Sequence, residues 1–83
     1  MKKIIFNNRE YWYRQEKEDV YILFEKTNYF YLVNMIIIDV IEYLANNKSL
    51  LEITEIINKK YHINITVDFL VTKLKNIEGI INE

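Results

Sequence analysis

Tyr29-Phe30-Tyr31-Leu32-Val33-Asn34-Met35-Ile36-Ile37-Ile38 is the stretch where the pattern of the chain changes. Before Asn34 the apolar residues recur with a period near two, and after it with a period near 3.6. Asn34 has the chemistry of a helix N-cap, because its side-chain oxygen can accept a backbone N–H from the first turn. The junction therefore divides the chain into a β part and a helical part.

Toward the N-terminus the β part reads as a three-stranded antiparallel meander. Tyr11-Trp12-Tyr13-Arg14-Gln15 is aromatic-rich and suits a strand. Glu16-Lys17-Glu18-Asp19 is a charged turn, Val20 to Glu25 a second strand, and Lys26-Thr27-Asn28 a short turn in which Asn tolerates left-handed angles. Tyr29 to Val33 is the third strand, with Phe30 and Leu32 on one face and Tyr29, Tyr31 and Val33 on the other. Short loops make successive strands antiparallel neighbours, so the expected order is 1-2-3 with the third strand at an edge.

Toward the C-terminus three helices are expected. The first runs from Met35 to about Ala45, with Ile37, Val40, Ile41 and Leu44 on one stripe. Ser49-Leu50-Leu51-Glu52 matches a capping box, and Leu50, Ile53, Ile56, Ile57 and Tyr61 form the apolar face of the second. His62 to Ile65 is an extended connector, and Thr66 caps a third helix whose core stripe is Val67, Leu70, Leu74 and Ile77. Gly79, the only glycine, stands where a C-terminal cap belongs, and Ile80 and Ile81 are expected to fold back on the core. Phe69 falls clear of the core stripe of its helix and has no assigned place in the core. The fold class is thus α+β, one domain over residues 1–83, with a winged-helix-like succession of a meander and three helices.

Composition narrows the chemistry. The chain has 83 residues, 51% of them hydrophobic, and a net charge of −1. There is no cysteine, so no disulfide or thiolate site is available. One glycine excludes a glycine-rich phosphate loop, and the single histidine, His62, has no acidic partner nearby in sequence. The spacing of His and acidic residues forms no metal signature. No catalytic residues, metal or cofactor are expected, and the charge gives no general attraction to nucleic acid. The apolar run in Met1-Lys2-Lys3-Ile4-Ile5-Phe6 is too short for a signal peptide, and no run nears the roughly 20 residues a membrane span needs. A cytoplasmic location with no membrane association is the expectation. What the pattern does offer is an open strand edge, whose unpaired N–H and C=O groups are commonly completed by a peptide.

The layout resembles the PqqD-like family, the small winged-helix recognition elements of ribosomal peptide modification systems. Tyr29-Phe30-Tyr31-Leu32-Val33-Asn34 looks like the family's aromatic, Leu and Asn run before its first helix. Asn46-Asn47-Lys48-Ser49-Leu50-Leu51-Glu52-Ile53 is similar to its short turn and hydroxyl-hydrophobic-x-Glu-Ile helix start, and Gly79-Ile80-Ile81 to its ending. The chain departs from the family in having Asn47 where Gly is frequent and Ile36-Ile37-Ile38 where small residues are common.

The resemblance implies binding of the leader segment of a ribosomally made precursor peptide, as in lasso-peptide and related systems, and its delivery to a modification enzyme or leader protease. The leader adds as a strand to the third strand, beside the third helix. Carried over residue by residue, Asn28, Tyr29, Phe30, Tyr31, Leu32 and Val33 supply the edge. Val67, Phe69, Leu70, Val71, Lys73 and Leu74 are the candidates on the helix side, with Phe69 and Lys73, then Val71, the sharper ones because Leu70 and Leu74 also read as core. Lys73 or Lys75 is a candidate partner for an acidic leader residue. Because the chain stops at Glu83, a free-standing protein is expected, a monomer or weak homodimer. Trp12, Tyr13, Met35 and Ile38 lie off the expected core stripes and are candidates for the enzyme-facing surface. Two other readings stand beside this one. In a winged-helix DNA-binding protein the third helix enters the major groove, with Lys59, Lys60, Lys73 and Lys75 near phosphates, against which Asp68, Glu78 and the net charge argue. A structural interaction subunit would pair through the same edge.

Overall fold

The computed structural model describes residues 1–25, 30–77 and 79–81. Four strands form one antiparallel sheet in the order β1-β2-β3-β4: β1 Lys2–Phe6, β2 Arg9–Lys17, β3 Val20–Phe24 and β4 Phe30–Val33. Three helices follow, α1 Met35–Ala45, α2 Leu50–Tyr61 and α3 Val67–Leu74. The α+β class and the helix order agree with the sequence pattern. The sheet has four strands where three are expected.

The added strand comes from the N-terminus. Asn7 and Asn8 both hold positive φ, 53° and 62°, the backbone of a two-residue hairpin turn that asparagine tolerates. This folds Lys2–Phe6 back on Arg9–Tyr13, with Ile4 opposite Tyr11 and Lys2 opposite Tyr13. β2 is accordingly longer than Tyr11–Gln15. Glu16 and Lys17 belong to the strand, and Lys17 pairs with Val20 across a turn at Glu18 and Asp19. Asp19 has φ 60°, and the register shifts between Gln15 and Lys17, as at a β-bulge.

The sheet has two unlike faces. Tyr11, Tyr13 and Leu23 are buried on one, and Tyr13, Leu23 and Tyr31 stand in register across β2, β3 and β4. All three helices lie on this face, where Val40, Ile41, Ile53, Ile57, Leu70 and Leu74 are fully buried with Tyr11 and Leu23. Burying each such aliphatic side chain contributes about 1.5–3 kcal/mol. The other face carries Trp12, Phe24 and Phe30 in one row and Arg14, Ile22 and Leu32 in the next, on the side away from the three described helices.

β1 also corrects the expected second surface. It makes β2 an inner strand, and α1 packs on β1 as well as on α2. Tyr13 is therefore only 8% exposed and Ile38 only 3%, so neither is a surface residue. Within Met35-Ile36-Ile37-Ile38 every residue is apolar, so periodicity alone could not exclude Ile38 from the core stripe. Met35 is exposed, and Trp12 lies half-buried on the bare face.

Local signals fix the helix ends. The Asn34 side chain accepts the Ile37 N–H at 3.1 Å. Ser49 Oγ accepts the Glu52 N–H, while the Ser49 N–H and hydroxyl both donate to the Glu52 carboxylate and hold that carboxyl below its ordinary pKa. His62 ends α2 in the left-handed conformation, φ 55°. Gly79 is not the cap of α3, which ends at Leu74 and is followed by Lys75 in right-handed geometry. Gly79, φ 85°, instead turns the tail so that Ile80 is buried and Ile81 packs on the core. Among the described residues no helix is long and apolar enough to cross a membrane.

Candidate functional site

β4 is the last strand in the sheet order, so one side of its backbone has no strand partner among the described residues. Asn34 ends β4 by starting α1, which turns the chain away before another strand can form. α3 arrives beside this edge through the connector that follows His62. The Asn58 side chain clamps that connector, donating to Ile65 O at 3.0 Å and accepting from Ile65 N at 2.8 Å. Thr66 then caps α3 by accepting the Phe69 N–H at 3.1 Å. These bonds set the position from which Phe69 and Lys73 project.

The result is a cleft of about 530 Å³ between β4 and α3. All four residues of β4 line it, together with Phe69, Lys73, Asn76 and Ile77 from α3 and the turn after it. Asn34, Ile36 and Ile37 close one end, with Ile65 from the connector. Residues of both parities on β4 line the cleft, so it flanks the edge of the strand, not one face of it. Tyr31 and Val33 pack against the core, whereas Phe30 is 70% and Leu32 76% exposed.

Among the described residues Lys73 is the only charged side chain lining the cleft. Its Nζ stands 5.5 Å from the centroid of the Phe69 ring, a cation–π distance. Lys3, Arg9, Arg14 and Lys60 all have carboxylate partners. No ion pair of Lys73 occurs among the described residues, so Lys73 brings one cation to a wall that also holds apolar side chains and the amides of Asn34 and Asn76.

Of the expected site residues, the structure brings together Phe30, Tyr31, Leu32, Val33, Phe69 and Lys73. Leu70 and Leu74 are fully buried and belong to the core. Val67 and Val71 are half-buried on α3 and do not line the cleft. Asn28 and Tyr29 lie outside the described residues. Sequence reasoning missed Asn34, Ile36, Ile37, Ile65, Asn76 and Ile77. Asn34 and Ile77 already had roles as cap and core, while Ile65 and Asn76 sit in connections with no periodicity to place them.

A second cleft of about 470 Å³ lies between α1 and the β2–β3 hairpin. Its acidic groups are engaged. Tyr13 donates its hydroxyl to Glu42 at 2.7 Å, and Asp39 accepts from Lys60 Nζ at 2.8 Å and from the Tyr61 hydroxyl. Burial and the Asp39 carboxylate push the Tyr61 hydroxyl up to about 12, and burial with Glu42 likewise raises Tyr13. These bonds tie α1 to the sheet and to α2. Among the described residues no three His, Cys, Asp or Glu side chains converge as they would to hold a metal ion.

Comparison with known proteins gives no match: no protein-family model, no curated protein and no solved structure matches the chain.

Proposed function

We propose that this protein is a non-catalytic, winged-helix-like peptide-binding domain that takes up an extended segment as a fifth strand on β4. The segment we favour is the leader of a ribosomally made precursor peptide, bound for delivery to a modification enzyme or leader protease in the cytoplasm, as the resemblance to PqqD-like recognition elements implies. The observation that carries the reading is the cleft itself. A strand edge with no strand partner among the described residues faces a wall that offers an aromatic side chain, Phe69, and a cation, Lys73. Backbone bonds to β4 supply affinity, and the wall supplies choice, with Lys73 favouring an acidic residue in the bound strand.

The test is titration with the leader segment encoded beside the gene, followed by amide chemical shifts and Trp12 fluorescence. Binding is expected between roughly nanomolar and micromolar, about −8 to −12 kcal/mol. The largest shifts are expected at Phe30–Val33, Phe69 and Lys73. Saturable binding whose shifts map away from β4 and α3, or no binding, would overturn the proposal.

A further inference from the structure

The bare face of the sheet is organised into rows that run across the strands. One row is Lys3, Trp12, Phe24 and Phe30, and the next is Arg14, Ile22 and Leu32. Each begins with a cation that is already engaged. Lys3 Nζ stands 5.5 Å over the Trp12 ring and pairs with Glu10, and Arg14 pairs with Glu16. Each ends at β4 on an apolar side chain in the open, Phe30 at 70% exposure and Leu32 at 76%. Within the first row the Phe24 and Phe30 rings are in contact, with centroids 5.8 Å apart. The rows are therefore closed at the β1–β2 end and unfinished at the edge where the cleft opens.

We propose that the strand accepted by β4 is read on both faces of the sheet, with apolar side chains directed outward beside Phe30 and Leu32 as well as inward toward Phe69 and Ile77. This rests on the edge-binding reading above and specifies its ligand. Side chains directly opposite one another on adjacent antiparallel strands share a face, with Cβ atoms about 4.5–5.5 Å apart. Alternate residues of the incoming strand thus become the next members of the Trp12–Phe24–Phe30 and Ile22–Leu32 rows. A polar residue there would leave Phe30 and Leu32 as bare in the complex as in the free protein. The inward set meets the apolar cleft and Lys73, which calls for one acidic side chain. The ligand is a short segment apolar at consecutive positions, not an amphipathic strand with one polar face.

An array of synthetic decapeptides tests this. One class carries Leu, Phe and a single Asp at alternate positions with Leu or Phe between them. The other keeps the same alternate positions and has Ser between them. The full chain should bind the first class about tenfold more tightly, since each of two cross-strand apolar pairs contributes up to about 1 kcal/mol. In Phe30→Ser/Leu32→Ser the two classes should bind alike, at the affinity the unaltered protein shows for the Ser class. The amide spectrum of the double variant reports that it remains folded, and Leu32→Ser alone, expected to remove part of the preference, serves if it does not. Equal affinity of the unaltered protein for both classes sinks the two-face inference and leaves edge binding standing. Binding of neither class, or peptides of either class shifting amides away from β4, sinks both.

Discussion

Phe69 and Leu70 are adjacent on α3 and are assigned opposite duties by one step of the helix. Leu70 is fully buried, while Phe69 is 44% exposed on the cleft wall. Leu70→Ala is expected to cost about 2–5 kcal/mol of folding stability, the usual penalty for emptying a core leucine site. Phe69→Ala should leave thermal unfolding nearly unchanged and weaken leader binding about tenfold, as loss of an aromatic anchor does. Parallel melting curves and titrations separate the two. Tyr61 gives a test by pH. Its neutral hydroxyl donates to Asp39, and its pKa in the fold, about 12, lies above the ordinary 10.0. The bond therefore contributes fully below pH 10.0 and is lost as pH rises toward about 12. Urea unfolding followed across this range should show stability falling, and Tyr61→Phe should be less stable near neutral pH with a shallower alkaline decline.

At the scale of elements, β4 has backbone groups on two sides with different obligations. In an antiparallel ladder alternate residues direct their N–H and C=O groups toward the same neighbour. Of Tyr31→Pro and Leu32→Pro, one removes a donor to β3 and the other a donor at the open edge. One variant should lose stability, and the other should remain folded and lose peptide binding. Melting curves and titration identify which is which, and retention of full affinity by both folded variants would contradict strand addition. The element scale also shows what the sequence can disclose. The change of period at Asn34, the capping box at Ser49 and the cap at Thr66 located β4 and all three helices. β1 was hidden because Lys2–Phe6 is short, begins with charges, and is turned by two asparagines, not by the Asn-Gly or Gly-Gly pair that announces a tight hairpin. Phe69 and Lys73 were legible because they fall outside the stripe that Leu70 and Leu74 define. Ile65 and Asn76 were not, because only three-dimensional closure brings those connections to the edge.

For the whole molecule, the tail and the first hairpin are joined through Gly79. A Cβ built on Gly79 would collide with the Arg9 side chain and lie 2.5 Å from the hydroxyl of Tyr11, a fully buried residue. The backbone there is also at φ 85°, which an L side chain adopts only with strain. Gly79→Ala is therefore expected to destabilise the whole domain by about 1–3 kcal/mol and to lower its melting temperature, although Gly79 itself lies in neither helix nor strand. This closure was only half readable in advance. That Ile80 returns to the core follows from its apolarity, but the place where it lands depends on β1 and β2 forming a hairpin first.

The unfinished edge of β4 also governs how the protein must be handled and kept. Hydrogen-bonding groups waiting for a neighbour do not distinguish a cognate peptide from any other extended chain, including a second molecule or a growing nascent one. The occupant then acts as a chaperone for its own receptor. Co-expression with the bound segment, or its fusion through a flexible linker, should raise the soluble yield and delay precipitation on concentration, and charged substitution of Phe30 or Leu32 should mimic that protection without it.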